Sequence, residues 1–286
     1  MDREVAVADT TSGVRPVPEQ PSSRIDPSVP HPARRYDYWL GGKDNFAVDR
    51  RSGDAVAEAY PAIRTTVIEN RRFLHRATRH LAGTAGIRQF LDIGTGIPTS
   101  PNLHEVAQGI APEARIAYVD NDPIVLAHAR ALLSSTPEGA TAYVDADLRE
   151  PEKILAHPEV RATIDFDRPV GLMLVAVLHF LTDADDPYAI TRRLVEALPS
   201  GSFLVISHAT TDLVPRDIAA TAAPVTTSSM IDMAFRSRDQ FAAFFAGLEL
   251  VEPGISPVTE WRPDDAPEQR RPAAQASMYA AVARKP

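Results

Sequence analysis

An apolar run ending in an acid and two spaced glycines, Phe90-Leu91-Asp92-Ile93-Gly94-Thr95-Gly96, constrains this chain more than any other stretch. The run reads as a buried strand, and the glycines let the backbone turn sharply and leave room for a ligand to lie against it. In open α/β sheets, nucleotide-like cofactors sit at such a turn, at the carboxyl end of the first parallel strand. The chain downstream alternates to match. Strand-like runs cover 88–93, 114–119, 140–144, 170–178, 202–207, 248–251 and 278–283, and helical segments cover 102–108, 123–133, 187–197 and 238–245. This alternation implies a doubly wound, mostly parallel sheet. Ser100 and Pro101 suit the cap and first turn of the helix after the glycines; Asn121 or Asp122 suits the cap of the next, with Pro123 inside it. The Pro- and charge-rich stretch 253–272 reads as a loop within one domain.

Composition narrows the function classes. The net charge of −8 argues against coating nucleic acid or an anionic membrane. The absence of cysteine excludes disulfides, thiolate nucleophiles and Cys-based zinc sites, and fits a reducing cytoplasm. No apolar leader segment follows Met1, and the longest apolar run, 170–181, is too short for a bilayer and contains His179, so a soluble cytoplasmic protein is expected. Residues 1–30 carry Pro16, Pro18, Pro21, Pro27 and Pro30 among few large apolar residues, the composition of a disordered tail. One folded domain over 31–286 then divides into an N-terminal cap segment, 31–82, and a core, 83–286. Within the cap, a helix is expected over 62–81, where Ile63, Val67, Leu74, Ala77 and Leu81 form one stripe. Its other face, with Arg71, Arg72, His75, Arg76, Arg79 and His80, reads as solvated in preference to a nucleic-acid surface.

Three successive strand ends carry polar groups. Asp120 closes the second strand, where an acid accepts from ribose hydroxyls, and Asp145-Ala146-Asp147-Leu148 follows the third, where a carboxylate accepts from an amine such as that of adenine. A dinucleotide fingerprint requires a third glycine three positions beyond Gly96; here Thr99 stands there and Pro98 intrudes. Asp92 would repel a pyrophosphate and attract an ammonium. S-adenosylmethionine, with an adenosine, a sulfonium and an amino acid moiety, matches that pattern better than NAD. No metal site is expected. His75 and His80 are five apart, His128 and His157 stand alone, and Asp183, Asp185 and Asp186 read as a solvated acidic loop. Gly-x-Ser-x-Gly is absent, which leaves serine hydrolysis without support.

The first motif, Asp92-Ile93-Gly94-Thr95-Gly96, resembles that of Rossmann-like S-adenosylmethionine-dependent methyltransferases. Together with residues 33–49, above all Tyr36-Asp37-Tyr38-Trp39-Leu40-Gly41-Gly42-Lys43-Asp44-Asn45-Phe46, and with 119–123 and 174–181, the chain resembles an actinobacterial-type family of such enzymes whose substrate is undetermined. The resemblance implies a seven-stranded sheet, mostly parallel with the last strand antiparallel, and a helical segment folding over the cofactor. By position, Gly94 and Gly96 would face the methionine part, Asp120 the ribose, and Asp147 with Leu148 the adenine. Further cofactor contacts are expected from Tyr38, Gly41 and Asn45 in the cap and from Asp92, Thr95, Asn121 and Ala176 in the core. Asn121 and Asp122 read equally as helix caps, and Tyr36, Tyr38 and Trp39 equally as a core aromatic cluster.

His179, at the end of the fourth strand, is the candidate general base; a buried structural histidine is its other reading. His208 after the fifth strand is of the same kind. The expected activity is methyl transfer to an oxygen or nitrogen of a small-molecule acceptor, with neither a nucleic-acid nor a membrane partner. A non-catalytic sensor of S-adenosylmethionine or S-adenosylhomocysteine, and an NAD(P)-dependent oxidoreductase, remain as alternatives.

Overall fold

The computed structural model describes residues 25–132, 134–220 and 233–286; most of the expected N-terminal tail lies outside the described residues. Three helices come first: α1 (Pro32–Trp39), α2 (Ala47–Ala59) and α3 (Ile63–Arg79). Proline at its first position suits the start of α1, since the missing amide would have no intrahelical partner there. Asp49 closes the start of α2 by accepting from the Phe46 amide at 2.8 Å. The core follows as β1 (Gln89–Ile93), α4 (Leu103–Gln108), β2 (Arg115–Asp120), α5 (Pro123–Leu132) and β3 (Ala140–Asp145). Then come α6 (Pro151–Ala156), α7 (Pro158–Thr163), β4 (Gly171–Val175), α8 (Pro187–Glu196), β5 (Phe203–Ala209) and α9 (Arg238–Ala242). The chain ends with β6 (Glu249–Leu250), β7 (Ser256–Pro257) and β8 (Met278–Arg284).

The sheet order is β3-β2-β1-β4-β5-β8-β6, with β7 paired to β8. Strands β3 to β5 along this path are parallel, and β8 runs antiparallel to β5, β6 and β7. Both faces are covered, so alternate residues of each strand enter different cores. Leu91, Ile93, Val119, Leu172 and Ile206 pack into one, and Phe90, Tyr118, Met173, Val205 and Val282 into the other. Because β1 lies between β2 and β4, the strand order reverses there, and a crevice opens beyond the carboxyl ends of β1 and β4.

The sheet has eight strands where seven were expected. The additional strand is β7, inside the stretch 253–272 read as a loop. Val258 and Trp261 in that stretch are fully buried, and the Val258 amide donates to Met278 O at 3.0 Å, so burial of two apolar side chains draws the loop onto β8. Strand β4 is shorter than the expected 170–178. It stops at Val175, and His179 lies on a 3₁₀ turn, Leu178–Phe180. The cap of α4 is Asn102 rather than Ser100, in a reciprocal pair with Glu105. The basic face of α3 is only partly solvated: Arg76 is buried and donates to Trp261 O at 2.9 Å. Among the described residues no helix is long and apolar enough to cross a membrane.

Candidate active site

The glycine turn is built by two left-handed residues, Gly94 at φ +75° and Gly96 at φ +70°, a region that favours glycine. The two glycines serve different ends. A Cβ on Gly94 would lie 2.4 Å from the Val177 side chain, whereas one on Gly96 would meet nothing within 4 Å. Gly94 therefore allows the turn to pack against the loop after β4, and Gly96 leaves open space. The turn is tied to β2 twice: the Gly94 amide donates to Val119 O at 2.8 Å, and the Gly96 amide to Asp120 Oδ2 at 2.8 Å.

Asp120 is buried and its other oxygen accepts from the Asp122 amide at 3.0 Å. Burial raises its pKa, and the two amides act against that rise. Each oxygen takes one amide, so lone pairs remain for ligand hydroxyls. Asp92 sits beside it and accepts from the Thr95 hydroxyl at 2.9 Å. Burial pushes Asp92 to about 6, with the Thr95 hydroxyl and Arg71 opposing and Asp120 adding to the rise. On the next strand end, Asp147 is held by the Asn121 amide group at 3.0 Å and the Arg149 amide at 2.8 Å.

The opposite wall comes from β4, β5 and the cap. Ala176 follows β4 at φ +56°, an unfavourable conformation for a residue with a Cβ, and is held there by hydrogen bonds to the carbonyl and hydroxyl of Ser207 at 3.2 and 3.0 Å. From Ser207 a polar chain crosses the wall. Its hydroxyl donates to Asn70 Oδ1, Asn70 Nδ2 donates to the Tyr36 hydroxyl at 2.9 Å, and that hydroxyl donates to Val67 O at 3.0 Å. The chain links β4, β5, α3 and α1.

His179 is 5% exposed, and its Nδ1 has no hydrogen-bond partner among the described residues. Burial first, then the neighbouring His208, Arg236 and Arg35, hold its pKa well below 6.5, so the ring is neutral at physiological pH. His208 is committed elsewhere. Its Nε2 lies 2.8 Å from Arg236 Nη1 and its Nδ1 lies 2.7 Å from Ala209 O. A guanidinium only donates, so Nε2 accepts and the proton sits on Nδ1. Burial pushes His208 to about 3.

These walls enclose a cavity of about 460 Å³. Asp92, Gly94, Thr95, Gly96, Asp120, Asn121, Asp147, Leu148, Ala176 and His179 all line it. Tyr38, Gly41 and Asn45 do not. Helix α1 turns Tyr36 and Trp39 inward, which leaves Tyr38 on the outer side, where its hydroxyl donates to Asp54 at 2.7 Å. Gly41 is exposed in a left-handed turn after α1, and Asn45 is spent on Asp37, at 2.7 Å, and on Gly42 O. Sequence reasoning missed His31, Arg35, Asn70 and Arg71, all in the lining. For the last two a signal existed: Asn70 and Arg71 fall three and four residues after Val67 on the stripe that continues to Leu74. Asp183 and Asp185, read as a solvated acidic loop, pair with Arg236 and Arg149 at 3.0 Å each. Among the described residues no group of three or more His, Asp or Glu side chains is placed to hold a metal ion.

A family model described as S-adenosyl methyltransferase matches residues 18–286. A crystal structure of a DUF574 family protein from Streptomyces avermitilis is 51% identical with a TM-score of 0.88, over 92% of this chain and 100% of that one. A protein from Thermobifida fusca proposed as a methyltransferase is 42% identical with a TM-score of 0.82, over 90% of this chain and 96% of the other. A comparison with curated proteins returned no match.

Proposed function

The chain belongs to the S-adenosyl methyltransferase family, and from that premise we propose that it methylates an oxygen or nitrogen of a small-molecule acceptor held between the glycine turn and the α1–α3 cap. S-adenosylmethionine is the methyl donor, supplying a methyl group made electrophilic by its attachment to a sulfonium.

The residues present fit that donor. The open space at Gly96 and the remaining lone pairs of Asp120 suit a ribose against the turn. The buried Nε of Arg71 has no hydrogen-bond partner among the described residues, and Arg71 is close enough to Asp92 to act on its pKa. A cation and an acid side by side suit the carboxylate and ammonium of an amino acid moiety. Leu148 and Asp147 suit one face and the amine of an adenine.

The observation that carries the acceptor reading is the remainder of the cavity. Beyond the strand-end acids it is walled by Tyr36, Trp39, Val67, Leu74 and Phe235, with Nδ1 of His179, unpartnered among the described residues, at one side. Such a wall excludes water and orients an apolar molecule, which is most of what methyl transfer asks of a protein. His179, neutral and buried, can accept a hydrogen bond from the acceptor and then its proton.

The test uses S-adenosylmethionine labelled in its methyl group with extracts of actinobacterial small molecules. The expected result is label in a small-molecule product, turnover lost in His179→Ala, and cofactor affinity within about threefold of the unmodified protein. Label found only in protein or nucleic acid would overturn the proposal.

A further inference from the structure

The two ends of the cavity differ in what they offer a charge. At the ends of β1, β2 and β3, acids and cations are neighbours. Arg149 lies 3.3 Å from Asp147, Arg71 is close enough to Asp92 to act on its pKa, and His31 meets Asp122 at 3.0 Å. The end beneath the cap is apolar: Val56 of α2, Ile63 of α3, Met278 of β8, and Val214 and Ile218 after β5 line it. Its polar atoms are spent within the protein. Trp39 Nε1 donates to Gly53 O at 3.1 Å, the Tyr60 hydroxyl lies 3.0 Å from that of Thr66 and accepts from the Ser277 amide at 3.2 Å, and the Ser277 hydroxyl donates to Thr210 O at 2.7 Å.

Arg35, the cation at this end, is committed as well. Its guanidinium lies over the Trp39 ring at 5.3 Å and donates to the Ser52 hydroxyl at 3.3 Å, and the fully buried Asp49 acts on its charge. Among the described residues, no side chain of either sign is left here to pair with a charged guest. The ionisable groups of this end report the same environment. Tyr36 and Tyr60 are pushed up, His179 is held well below 6.5 and Arg35 comes down to about 10, with burial the largest cause in all four. The tyrosines therefore stay phenols and His179 stays a neutral ring. A guest bearing a charge would meet the same cost of burial with no counter-ion to offset it.

We propose that the acceptor enters as an uncharged, apolar molecule and is methylated at a hydroxyl that keeps its proton until the methyl group is in transit. This rests on the methyltransferase reading above and selects a hydroxyl over an alkylamine, which is an ammonium at neutral pH. An oxygen lone pair forms the new C–O bond as the C–S bond of the donor breaks, and the pair of the broken bond remains on sulfur as a neutral thioether. The O–H bond then breaks with its electron pair kept by oxygen. The proton passes to Nδ1 of His179, in the tautomer protonated at Nε2, and from there to solvent. A weakly basic ring is sufficient for this, because an oxygen that has taken on a methyl group is far more acidic than an imidazolium.

The test titrates three probes with one ring system, biphenyl-4-ylmethanol, biphenyl-4-ylmethylammonium and biphenyl-4-carboxylate, into the protein loaded with S-adenosylhomocysteine at neutral pH. The alcohol is expected to bind at least about tenfold more tightly than either ion. Val214→Asp places an acid at a half-buried position of the wall, and is expected to raise the affinity for the ammonium at least about fivefold while lowering that for the carboxylate. The ranking in the unmodified protein decides the matter even if this variant does not fold. An ion that binds as tightly as the alcohol overturns the proposal, as does no binding of any probe, or a folded Val214→Asp protein that takes the ammonium no better. Failure of S-adenosylhomocysteine itself to bind would instead overturn the cofactor seat on which the proposal rests.

Discussion

At the scale of single residues the turn makes opposite demands on two similar glycines. Gly94→Val must force its side chain into Val177 from a left-handed backbone, so it disrupts the turn, and Asp120→Ala removes the acceptor at the end of β2. Each is expected to weaken S-adenosylhomocysteine binding at least about tenfold by calorimetry. Asp92 is costly to the empty protein. Its pKa, raised from 3.8 to about 6, means the folded chain holds that proton more tightly than the unfolded one. This contribution to stability is complete below pH 3.8 and is lost as pH rises through about 6. A rise from 3.8 to about 6 corresponds to about 3 kcal/mol as an upper bound. Asp92→Asn should therefore raise the unfolding free energy near about pH 8, leave it unchanged near about pH 3, and weaken cofactor binding. Denaturant titrations at both pH values check this; a gain that is the same at both would contradict it.

At the scale of elements the cap is fastened to the sheet by a buried acid. Asp122 caps α5 through the Ile124 amide at 2.9 Å and also meets His31 Nδ1 at 3.0 Å and Arg34 Nε at 3.3 Å. Burial alone would raise its pKa, but these partners outweigh burial and lower it. Its contribution to stability is thus full above pH 3.8 and falls away as pH drops below that. Asp122→Asn is expected to cost about 3 kcal/mol, because Arg34 loses a buried charge partner. Hydrogen exchange should quicken in α1 before it quickens in β1; uniform change would show that the acid acts only on global stability. The aromatic-glycine segment was recognisable in sequence, but not which of its faces turns inward. Helical spacing alone allowed Tyr36 with Trp39 or Tyr38 with Gly41, and the contact of α1 with α3 chose the first pair. Ala176 shows the same limit, since its left-handed backbone is imposed by Ser207 on the neighbouring strand.

At the scale of the molecule, the site draws on the sheet and the cap together, so a ligand that fills it stabilises the whole fold. S-adenosylhomocysteine at 100 times its Kd should add about 2.7 kcal/mol. For a chain of this order that is roughly a 5–10 °C rise in Tm. NAD should give no comparable shift, because its pyrophosphate would face Asp92; an equal rise with NAD would count against the charge argument.

By itself the sequence determined the alternation of strands and helices, the glycine turn, the three acids at successive strand ends and hence the methyl donor. Those features are local: they follow from backbone freedom, side-chain period and the fact that a parallel strand ends where a ligand can reach it. Only the tertiary structure decided that His179 is a neutral ring on a 3₁₀ turn, that His208 is committed to Arg236, and that Arg35 and Arg71 line the cavity. Those depend on which residues, up to about two hundred positions apart in the chain, share one dry space, because desolvation and neighbouring charge set what an ionisable group can do.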